Sequence, residues 1–484
     1  MKKLILIALL LGISFSSCED FEGWNVDEKN PSVVSPGFLL TSAQLELFKN
    51  MTSTSVNINS FKLFAQYWNE ATYTDETNYD IRGRDIGGNF SEELYRNVLV
   101  DLKEATDIIN EEPAASAEEE ALETAQLGVL ELMSVFTWHV IVDTFGYSPY
   151  SEALQGADNL IPVYDKDSDI YDDLLVRIDA ALIMLNADAN SFGGSDLVYG
   201  GDTSKWKKFG NSLKLRMAVR TDDYDHARSV TLASAAVAAG VFESAADNAA
   251  FPFETTPPNT NAVWEDLIQS GRNDFVLTAT FIDFIVPLND PRTPVFMDDN
   301  LAPDPYFAGP YGSGSSHAST THIGDLWHTP DLEGIILSYD EVQFLLAEAV
   351  ERGLISGDAE MYYDEGVTES ILYWGGSQAD ADTYLAQPTV AYATAAATWK
   401  EKIGNQKYIA LYARGFEAWS SWRVLDFPNI MVRPPVSEEA VPRRKLYGNA
   451  DVTLNEANYE AAAEAMGGDL KSSRVFWDIT GVGN

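Results

Sequence analysis

The sequence of 484 residues predicts a mainly α-helical protein in which helices pack in pairs. Three observations support this prediction. Apolar residues recur at helical spacing over long stretches, capping residues stand at the starts of some of these stretches, and short turns join them. Helix pairs joined in this way are typical of helical repeat proteins, although the chain has no clean repeat period.

Residues 1–17 have the pattern of a secretory signal peptide. Lys2 and Lys3 precede an apolar run from Leu4 to Ile13, which is shorter than the ~20 residues needed to cross a bilayer. Cys18 is the only cysteine of the chain and stands shortly after that run. We expect cleavage before Cys18 and acylation of this residue, which would hold the protein to a membrane by its lipid. The alternative is a longer signal peptide that is cut beyond Cys18.

The mature chain is predicted to begin with a polar, lipid-anchored tether at residues 18–36, followed by a single α-helical domain at residues 37–484. No segment after Cys18 is expected to be long and apolar enough to span a membrane. Acidic residues outnumber basic residues by 74 to 32, which gives a formal net charge of −42. This charge disfavours nucleic acid and anionic membrane surfaces as partners and makes neutral ligands easier to accept.

The apolar periodicity predicts helices along most of the domain. Ser168 is placed to cap one of them, Ser338 and Glu341 form an S-x-x-E capping box for another, and Gly353 follows the latter as a stop signal. The predicted helices cover residues 38–50, 91–110, 120–142, 168–186, 204–220, 223–239, 275–286, 338–352, 358–372, 395–422 and 454–466.

Residues 251–334 interrupt the helical rhythm because they are dense in proline and glycine. We interpret this stretch as a loop-rich insertion. Irregular connections of this length are uncommon in compact domains and are usually functional. Loops on a rigid scaffold are also where binding groups concentrate. The segment is therefore one candidate for a ligand site.

Several sequence blocks, which keep their order over nearly the whole chain, resemble those of the SusD/RagB family. One block has the form D-x-F-G-x-x-P-Y-S-E-A, and another has the form G-D-x-x-x-W-x-x-x-x-N-S-L-x-x-R. The blocks are Val142–Ala153, Gly201–Arg216, Asp290-Pro291-Arg292, Ser338–Ala349, Gly415–Arg423, Val441–Arg444 and Trp477-Asp478. The chain is identified by them as a member of this family, within a divergent SusD-like subgroup.

The resemblance implies a fold and a function. The family scaffold consists of tetratricopeptide-like helix pairs, and an irregular part holds the ligand. Family members are outer-membrane lipoproteins, exposed at the cell surface, that bind an oligosaccharide, a polysaccharide or sometimes a peptide and deliver it to a SusC-like TonB-dependent transporter. They are not enzymes, and no cofactor is implied. Glu19, Asp20 and Glu22 beside Cys18 resemble the surface-export signal of such lipoproteins, which supports display at the cell surface.

Most of the family motif residues are expected to serve the fold. Trp206, Asn211, Arg216 and Arg220 fall at helical spacing, which indicates packing and hydrogen bonds between helices.

Two regions combine aromatic rings with polar groups in the way that a sugar site needs, because rings offer flat contact area and charged side chains offer strong hydrogen bonds. The first region is Gln66–Arg84, and the second lies within residues 251–334. We predict ligand contacts at Trp68, Asn69, Tyr73, Tyr79, Arg82, Trp264, Arg272, Asn273, Asp274, Tyr306, Tyr311, Trp327 and His328. The alternative is that the aromatic residues close the core while the charged residues are solvated. The sequence does not decide whether the two regions meet in one pocket.

Other functions remain as alternatives. A surface glycoside hydrolase would need two carboxyl groups about 5–9.5 Å apart, and carboxylates are abundant, but no G-x-S-x-G, Walker or G-x-G-x-x-G motif is present. A lid that binds only the transporter is another alternative. His317, His322 and His328, with Asp325, could hold zinc, but their spacing is irregular, and no calcium loop is present, so we predict no metal.

Overall fold

The computed structural model describes residues 34–111, 113–185 and 190–479. The predicted signal peptide, the lipid anchor at Cys18, the acidic residues beside it and most of the tether lie outside the described residues. The predicted mainly α-helical architecture is confirmed, and the few strands are short.

Helices account for most of the regular structure. They are α1 Pro36–Thr52, α2 Phe61–Phe64, α3 Ile86–Glu92, α4 Val100–Glu111, α5 Ala117–Phe145, α6 Asp167–Met184, α7 Thr203–Arg220, α8 His226–Ala239, α9 Ala262–Trp264, α10 Ala279–Ile285, α11 Thr293–Phe296, α12 Tyr339–Glu351, α13 Ala359–Tyr373, α14 Gln378–Leu385, α15 Trp399–Ala410, α16 Gly415–Leu425, α17 Asn449–Leu454 and α18 Glu456–Ala465. The π-helical turns Glu93–Leu99 and Glu265–Gln269 continue α3 and α9.

The strands form three antiparallel pairs, β1 with β5, β2 with β3 and β4 with β6. Each pair joins segments that are separated along the chain. The strands therefore connect parts of the helical body and do not form a separate sheet layer. The strands are β1 Trp68–Glu70, β2 Ser148–Pro149, β3 Tyr164–Asp165, β4 Ala249–Phe251, β5 Phe275–Leu277 and β6 Gly334–Leu337.

Successive long helices pack against one another as predicted. The pairs are α5 with α6, α7 with α8, α12 with α13, and α15 with α16. Helix α5 is long and apolar enough to cross a membrane by length and composition, so the expectation that no segment after Cys18 meets this criterion is wrong. However, 78% of its apolar window is buried inside the protein, which makes α5 the central helix of the core.

Two predicted helices have different bounds in the structure. Phe275–Leu277 is a strand, and α10 starts only after Thr278, whose hydroxyl oxygen accepts a hydrogen bond from the Phe281 amide at 2.9 Å. The predicted helix 395–422 is two helices, because the chain turns after Ala410 and resumes at Gly415. A Cβ on Gly415 would lie 2.7 Å from the Lys62 amide nitrogen, so glycine permits this close contact with α2.

Two predicted caps are wrong, for different reasons. The Ser338 hydroxyl donates to Asp340 instead of capping α12, and Glu341 accepts a hydrogen bond from Arg216 Nε at 2.8 Å. Helix α6 begins at Asp167 after Lys166, so Ser168 lies within its first turn and is not the cap.

The interior contains three apolar clusters, and the second of them positions the loop-rich segment. In this cluster the Trp68 ring packs edge-on against Trp327, with ring centroids 6.0 Å apart, and both rings pack against Tyr412. Segment 251–334 contains β5, α9, α10 and α11, so it is not structureless. Several of its apolar side chains, among them Phe281 and Trp327, pack in this cluster.

The motif residues of α7 serve the scaffold, as predicted. Trp206 donates to Asp196 Oδ2 at 2.7 Å, and Asn211 donates to the Gly240 carbonyl at 2.9 Å. Arg216 and Arg220 are buried and form ion pairs with carboxylates in the core. These residues hold helices together and are not available to a ligand.

Candidate functional site

The structure brings the two predicted regions together. Strand β1 of the first region pairs with β5 of the second, so that Asn69 lies opposite Val276. The Asn69 side-chain amide donates to the Ser313 carbonyl at 3.0 Å and accepts from the Gly312 amide at 2.9 Å. Backbone and side chain therefore both tie the loop after α2 to the loop-rich segment.

A cleft of about 170 Å³ opens where these segments meet. We call it the cleft. It is formed by the turn between α1 and α2, by the loop after β1 and by the chain that leads into β5. Its lining residues are Ser55, Val56, Asn57, Glu70, Tyr73, Arg84, Asp266, Ser270, Arg272, Asp274 and Phe275.

Tyr73 is the most accessible aromatic side chain of the cleft, with 61% of its surface exposed. Arg272 beside it is also exposed, and its Nε lies 2.6 Å from Asp274 Oδ2. An exposed ring beside a guanidinium and a carboxylate offers both a flat apolar face and charged hydrogen-bonding groups. Sugars need this combination, because they present C–H faces and hydroxyl groups together.

A carboxylate at the back of the cleft is held in place by the turn after α1. Asp266 Oδ2 accepts hydrogen bonds from the Thr54 amide at 3.1 Å and from the Thr54 hydroxyl at 2.9 Å. Burial raises the pKa of Asp266, and these two donors oppose the increase. The turn thereby fixes the position of an acceptor that lines the cleft.

Glu70, which lines the cleft, forms a pair of carboxyl groups with Glu76. Burial, with a smaller contribution from the neighbouring Glu76, raises the pKa of Glu70 to about 9. We therefore expect Glu70 to be protonated at neutral pH and to donate to Glu76. Glu76 Oε1 also lies 2.8 Å from Arg84 Nε. Glu70 Oε2 also accepts from the amide and hydroxyl of Thr77, both at 2.9 Å. This network stiffens the loop that carries Tyr73.

Five of the predicted ligand contacts are corrected by the structure, because they are buried in the core: Trp68, Asn69, Tyr79, Tyr311 and Trp327. Trp68 donates its indole N–H to the Tyr412 hydroxyl at 2.8 Å, and Tyr311 donates to the Leu63 carbonyl at 2.6 Å. Tyr79 accepts from Gln66 at 2.9 Å. These side chains support the two loops and do not present a face to a ligand.

The remaining predicted residues are accessible, but only some of them lie in the cleft. Tyr73, Arg272 and Asp274 line it, and Asn273 stands between the latter two on the exposed loop. Trp264 is half-buried at the end of α9 and is not among the lining residues.

Three further predicted residues lie elsewhere on the surface. Arg82 forms an ion pair with Asp469 at 2.7 Å. Tyr306 lines a separate cavity of about 380 Å³ with Asp283 and Asp299. His328 lies beside Asp325, with Nδ1 3.2 Å from the carboxylate.

The three histidines do not form a common site. The rings of His317 and His322 stack with centroids 3.9 Å apart, and His322 Nε2 lies 2.9 Å from the His317 carbonyl oxygen. His328 pairs with Asp325 instead. Across residues 34–111, 113–185 and 190–479, no group of three or more histidine, cysteine, aspartate or glutamate side chains could hold a metal ion.

Sequence reasoning missed one wall of the cleft, which consists of Ser55, Val56 and Asn57 in the turn between α1 and α2. Asp266 and Ser270 fall within the loop-rich segment but were not singled out. The one signal in the sequence is the run of serine, threonine and asparagine from Thr52 to Ser60, which predicts a polar turn without indicating what faces it.

Comparisons with known proteins agree with this architecture. No curated protein matches the sequence. A chitin-binding protein of known structure is 28% identical, has a TM-score of 0.77, and is matched over 92% of this chain and 100% of its own. A chitin-binding SusD homologue from Flavobacterium johnsoniae is 24% identical with a TM-score of 0.76, over 92% of this chain and 99% of its own.

A SusD homologue from Bacteroides vulgatus is 21% identical, with a TM-score of 0.78 over 93% of this chain and 98% of its own. The sequence pattern of one SusD-like family matches residues 28–448, and that family is described as "Starch-binding associating with outer membrane". Its relatives are binding proteins and not enzymes, which agrees with the expectation from the sequence. The chain belongs to this SusD-like family of glycan-binding proteins that associate with the outer membrane.

Proposed function

We propose that the protein binds a nutrient glycan in the cleft between the loop after β1 and the chain leading into β5. The observation that carries the proposal is the exposed ring of Tyr73, which stands in one cavity with Arg84, Arg272 and Asp274. Tyr73 offers a stacking face, and the charged groups offer hydrogen bonds to hydroxyl groups. Membership in a glycan-binding family supports the same conclusion.

Chitin fragments are the first ligands to test. The structure that is 28% identical over nearly the whole chain is that of a chitin-binding protein. Neutral chito-oligosaccharides also suit a chain of net charge −42, which would repel polyanions overall. Starch fragments come second, because the family description names starch.

Calorimetry on the chain from Glu19 onward, with chito-oligosaccharides, malto-oligosaccharides and peptides, tests this proposal. We expect saturable binding of one glycan class without release of cleavage products. Tyr73→Ala should weaken that binding about tenfold, because a central aromatic contact contributes at least 1.4 kcal/mol.

The matched control is Tyr224→Ala, since Tyr224 is also exposed but does not line the cleft. Equal affinities of the two variants would contradict the assignment of the cleft. Release of cleavage products would favour a glycoside hydrolase. No binding of any of these ligands would favour a lid that binds only the transporter.

We further propose that the protein is anchored through Cys18 at the cell surface and delivers its ligand to a SusC-like TonB-dependent transporter, as the family resemblance implies. The loop before β3 provides an apolar surface for such a partner, because Leu160 and Ile161 are 77% and 60% exposed. Co-purification from detergent-solubilised outer membranes should recover a β-barrel with the wild-type protein. Leu160→Asp should reduce that recovery, whereas absence of a barrel from the wild-type preparation would contradict the proposal.

A further inference from the structure

A second cavity, of about 730 Å³, lies between the loop after α16 and the C-terminal segment. We call it the basic pocket. Its volume falls within the range of about 300–1,000 Å³ that is typical of small-molecule sites. It shares no lining residue with the cleft. The basic pocket is therefore a candidate site that the proposed function does not use.

The charge of the basic pocket is opposite to that of the protein. Four cationic side chains line it, against the two carboxylates of Asp426 and Glu439, in a chain whose acidic residues outnumber the basic ones by 74 to 32. The cationic residues are Arg433, Arg443, Lys471 and Arg474. A local excess of positive charge on so acidic a protein creates a focused attraction for anions.

Two of these cations are fixed by the protein itself. Arg443 stacks over the Trp422 ring at 4.5 Å, and its Nη1 lies 3.3 Å from Asp478 Oδ1. Arg474 donates to the same oxygen at 2.8 Å. Asp478 thus holds two guanidinium groups at the pocket wall, and Asp426 Oδ1 also lies 3.8 Å from Arg443 Nη2. The four cations of the pocket exceed these two carboxylates and Glu439 by one charge.

Of the other two cations, Arg433 is the more available to a ligand, because Lys471 already has partners. Arg433 is exposed, donates only to the Glu438 carbonyl at 3.3 Å, and has no carboxylate within 4.0 Å among the described residues. Lys471 donates to the Tyr79 carbonyl at 2.6 Å and pairs with the partly exposed Glu439. Guanidinium groups bind carboxylate and sulfate through paired hydrogen bonds, so Arg433 is suited to receive such a group.

The pocket wall is also held in position relative to the first region. The Gln66 side chain donates to the Val432 carbonyl at 2.7 Å and accepts from the Val432 amide at 3.0 Å. These two hydrogen bonds place the backbone beside Arg433 in a defined position. A site whose cation is pre-positioned binds with a smaller loss of entropy.

We propose that the basic pocket binds the carboxylate or sulfate group of an acidic saccharide. Arg433 makes the main contact, and Lys471 and Arg474 add positive charge around it. The apolar ring of Trp422, stacked with Arg443, forms part of the pocket wall. This assignment is independent of the cleft and would let one protein hold a neutral and an acidic part of a glycan, or two different glycans.

Calorimetry on the chain from Glu19 onward tests the proposal with a short oligogalacturonate, a sulfated galactan oligosaccharide, a neutral chito-oligosaccharide and inorganic sulfate. The oligogalacturonate separates carboxylate recognition from the sulfate recognition that the galactan reports. We expect one of the acidic saccharides to bind, and added salt to weaken this binding. Arg433→Gln should weaken it about tenfold, because it removes a charge-assisted hydrogen bond. Arg433→Lys should bind more tightly than Arg433→Gln but less tightly than the wild type. Lysine restores the positive charge without the two parallel hydrogen bonds that a guanidinium group can donate.

The matched control is Arg96→Gln, an exposed arginine that lines neither cavity, which should bind like the wild type. Arg433→Gln should bind the chito-oligosaccharide with the same affinity as the wild type. The proposal for the basic pocket can therefore fail without affecting the proposal for the cleft, and the reverse also holds. Equal acidic-saccharide affinities in Arg433→Gln and wild type, no acidic binding at all, or binding of inorganic sulfate as tight as that of the saccharides would overturn the proposal.

Discussion

Arg220 donates two hydrogen bonds to the carboxylate of Glu417 inside the core, at 2.5 and 2.6 Å. Both side chains are almost completely buried, and Arg220 also contacts Asp143. Burial alone would raise the pKa of Glu417, but Arg220 and Arg216 hold it below its usual value. The contact joins α7 to α16, two helices that are far apart in the chain.

Replacing Arg220 by glutamine should destabilise the protein strongly. The change leaves Glu417 and Asp143 with less compensating charge in the interior, and such losses cost about 3–5 kcal/mol of unfolding free energy. Urea denaturation followed by circular dichroism measures this. Arg228→Gln is the control, because Arg228 pairs with Asp172 at the surface, where an ion pair contributes about 0–1 kcal/mol. Similar losses in both variants would show that the buried pair has no special role.

The protonated state of Glu70 should make stability depend on pH. Its pKa is raised to about 9 by burial and by Glu76, whereas an unfolded glutamate titrates near pH 4.3. Between these two pKa values the folded state binds more protons than the unfolded state. The contribution of Glu70 to the free energy of unfolding is therefore complete below about pH 4.3 and is lost as the pH rises toward about 9. Glu70→Gln should therefore melt about 1–3 °C above the wild type at pH 8.

Thermal unfolding between pH 5 and pH 9 checks this prediction, since the glutamine amide can still donate to Glu76 as the protonated acid does. The control is Glu118→Gln, an exposed residue in the first turn of α5. If Glu70→Gln and Glu118→Gln follow the same pH profile as the wild type, Glu70 is ionised in the folded protein.

Trp68→Phe should separate stability from ligand binding. The buried indole fills the second apolar cluster and donates to Tyr412, so its loss should lower the unfolding free energy by about 1–3 kcal/mol. Glycan affinity, measured by calorimetry below the melting temperature, should change less than about twofold. Tyr73→Ala should show the reverse pattern. A large loss of affinity with unchanged stability in Trp68→Phe would restore Trp68 as a ligand contact.

The long helices were predictable from sequence to within a few residues, because apolar side chains at helical spacing leave little choice. The strand Phe275–Leu277 was not predictable, since a short apolar run fits a strand or a helix equally well. Its strand conformation comes from pairing with β1, which is a long-range contact. The S-x-x-E box failed for a similar reason, because Arg216 lies far away in sequence and takes Glu341.

The candidate site was predictable only as a pair of loops. Trp68 and Tyr73 look alike in sequence, as aromatic residues among polar neighbours, but one is fully buried and the other exposed. Which of them faces outward depends on β5 and Tyr412, which approach from elsewhere in the chain. The turn after α1 contains no aromatic residue that would indicate a sugar site, although it supplies one wall of the cleft.

The three-residue ladder between β1 and β5 joins two parts of the chain that are separated in sequence by helices α3 to α9. Closing so long a loop is entropically costly and slow, so the ladder forms only after the helices have brought its strands together. During synthesis of the chain, recognition of a ligand must therefore wait until the chain has emerged beyond β5. A short peptide that carries either wall alone will not reproduce the binding of the whole protein.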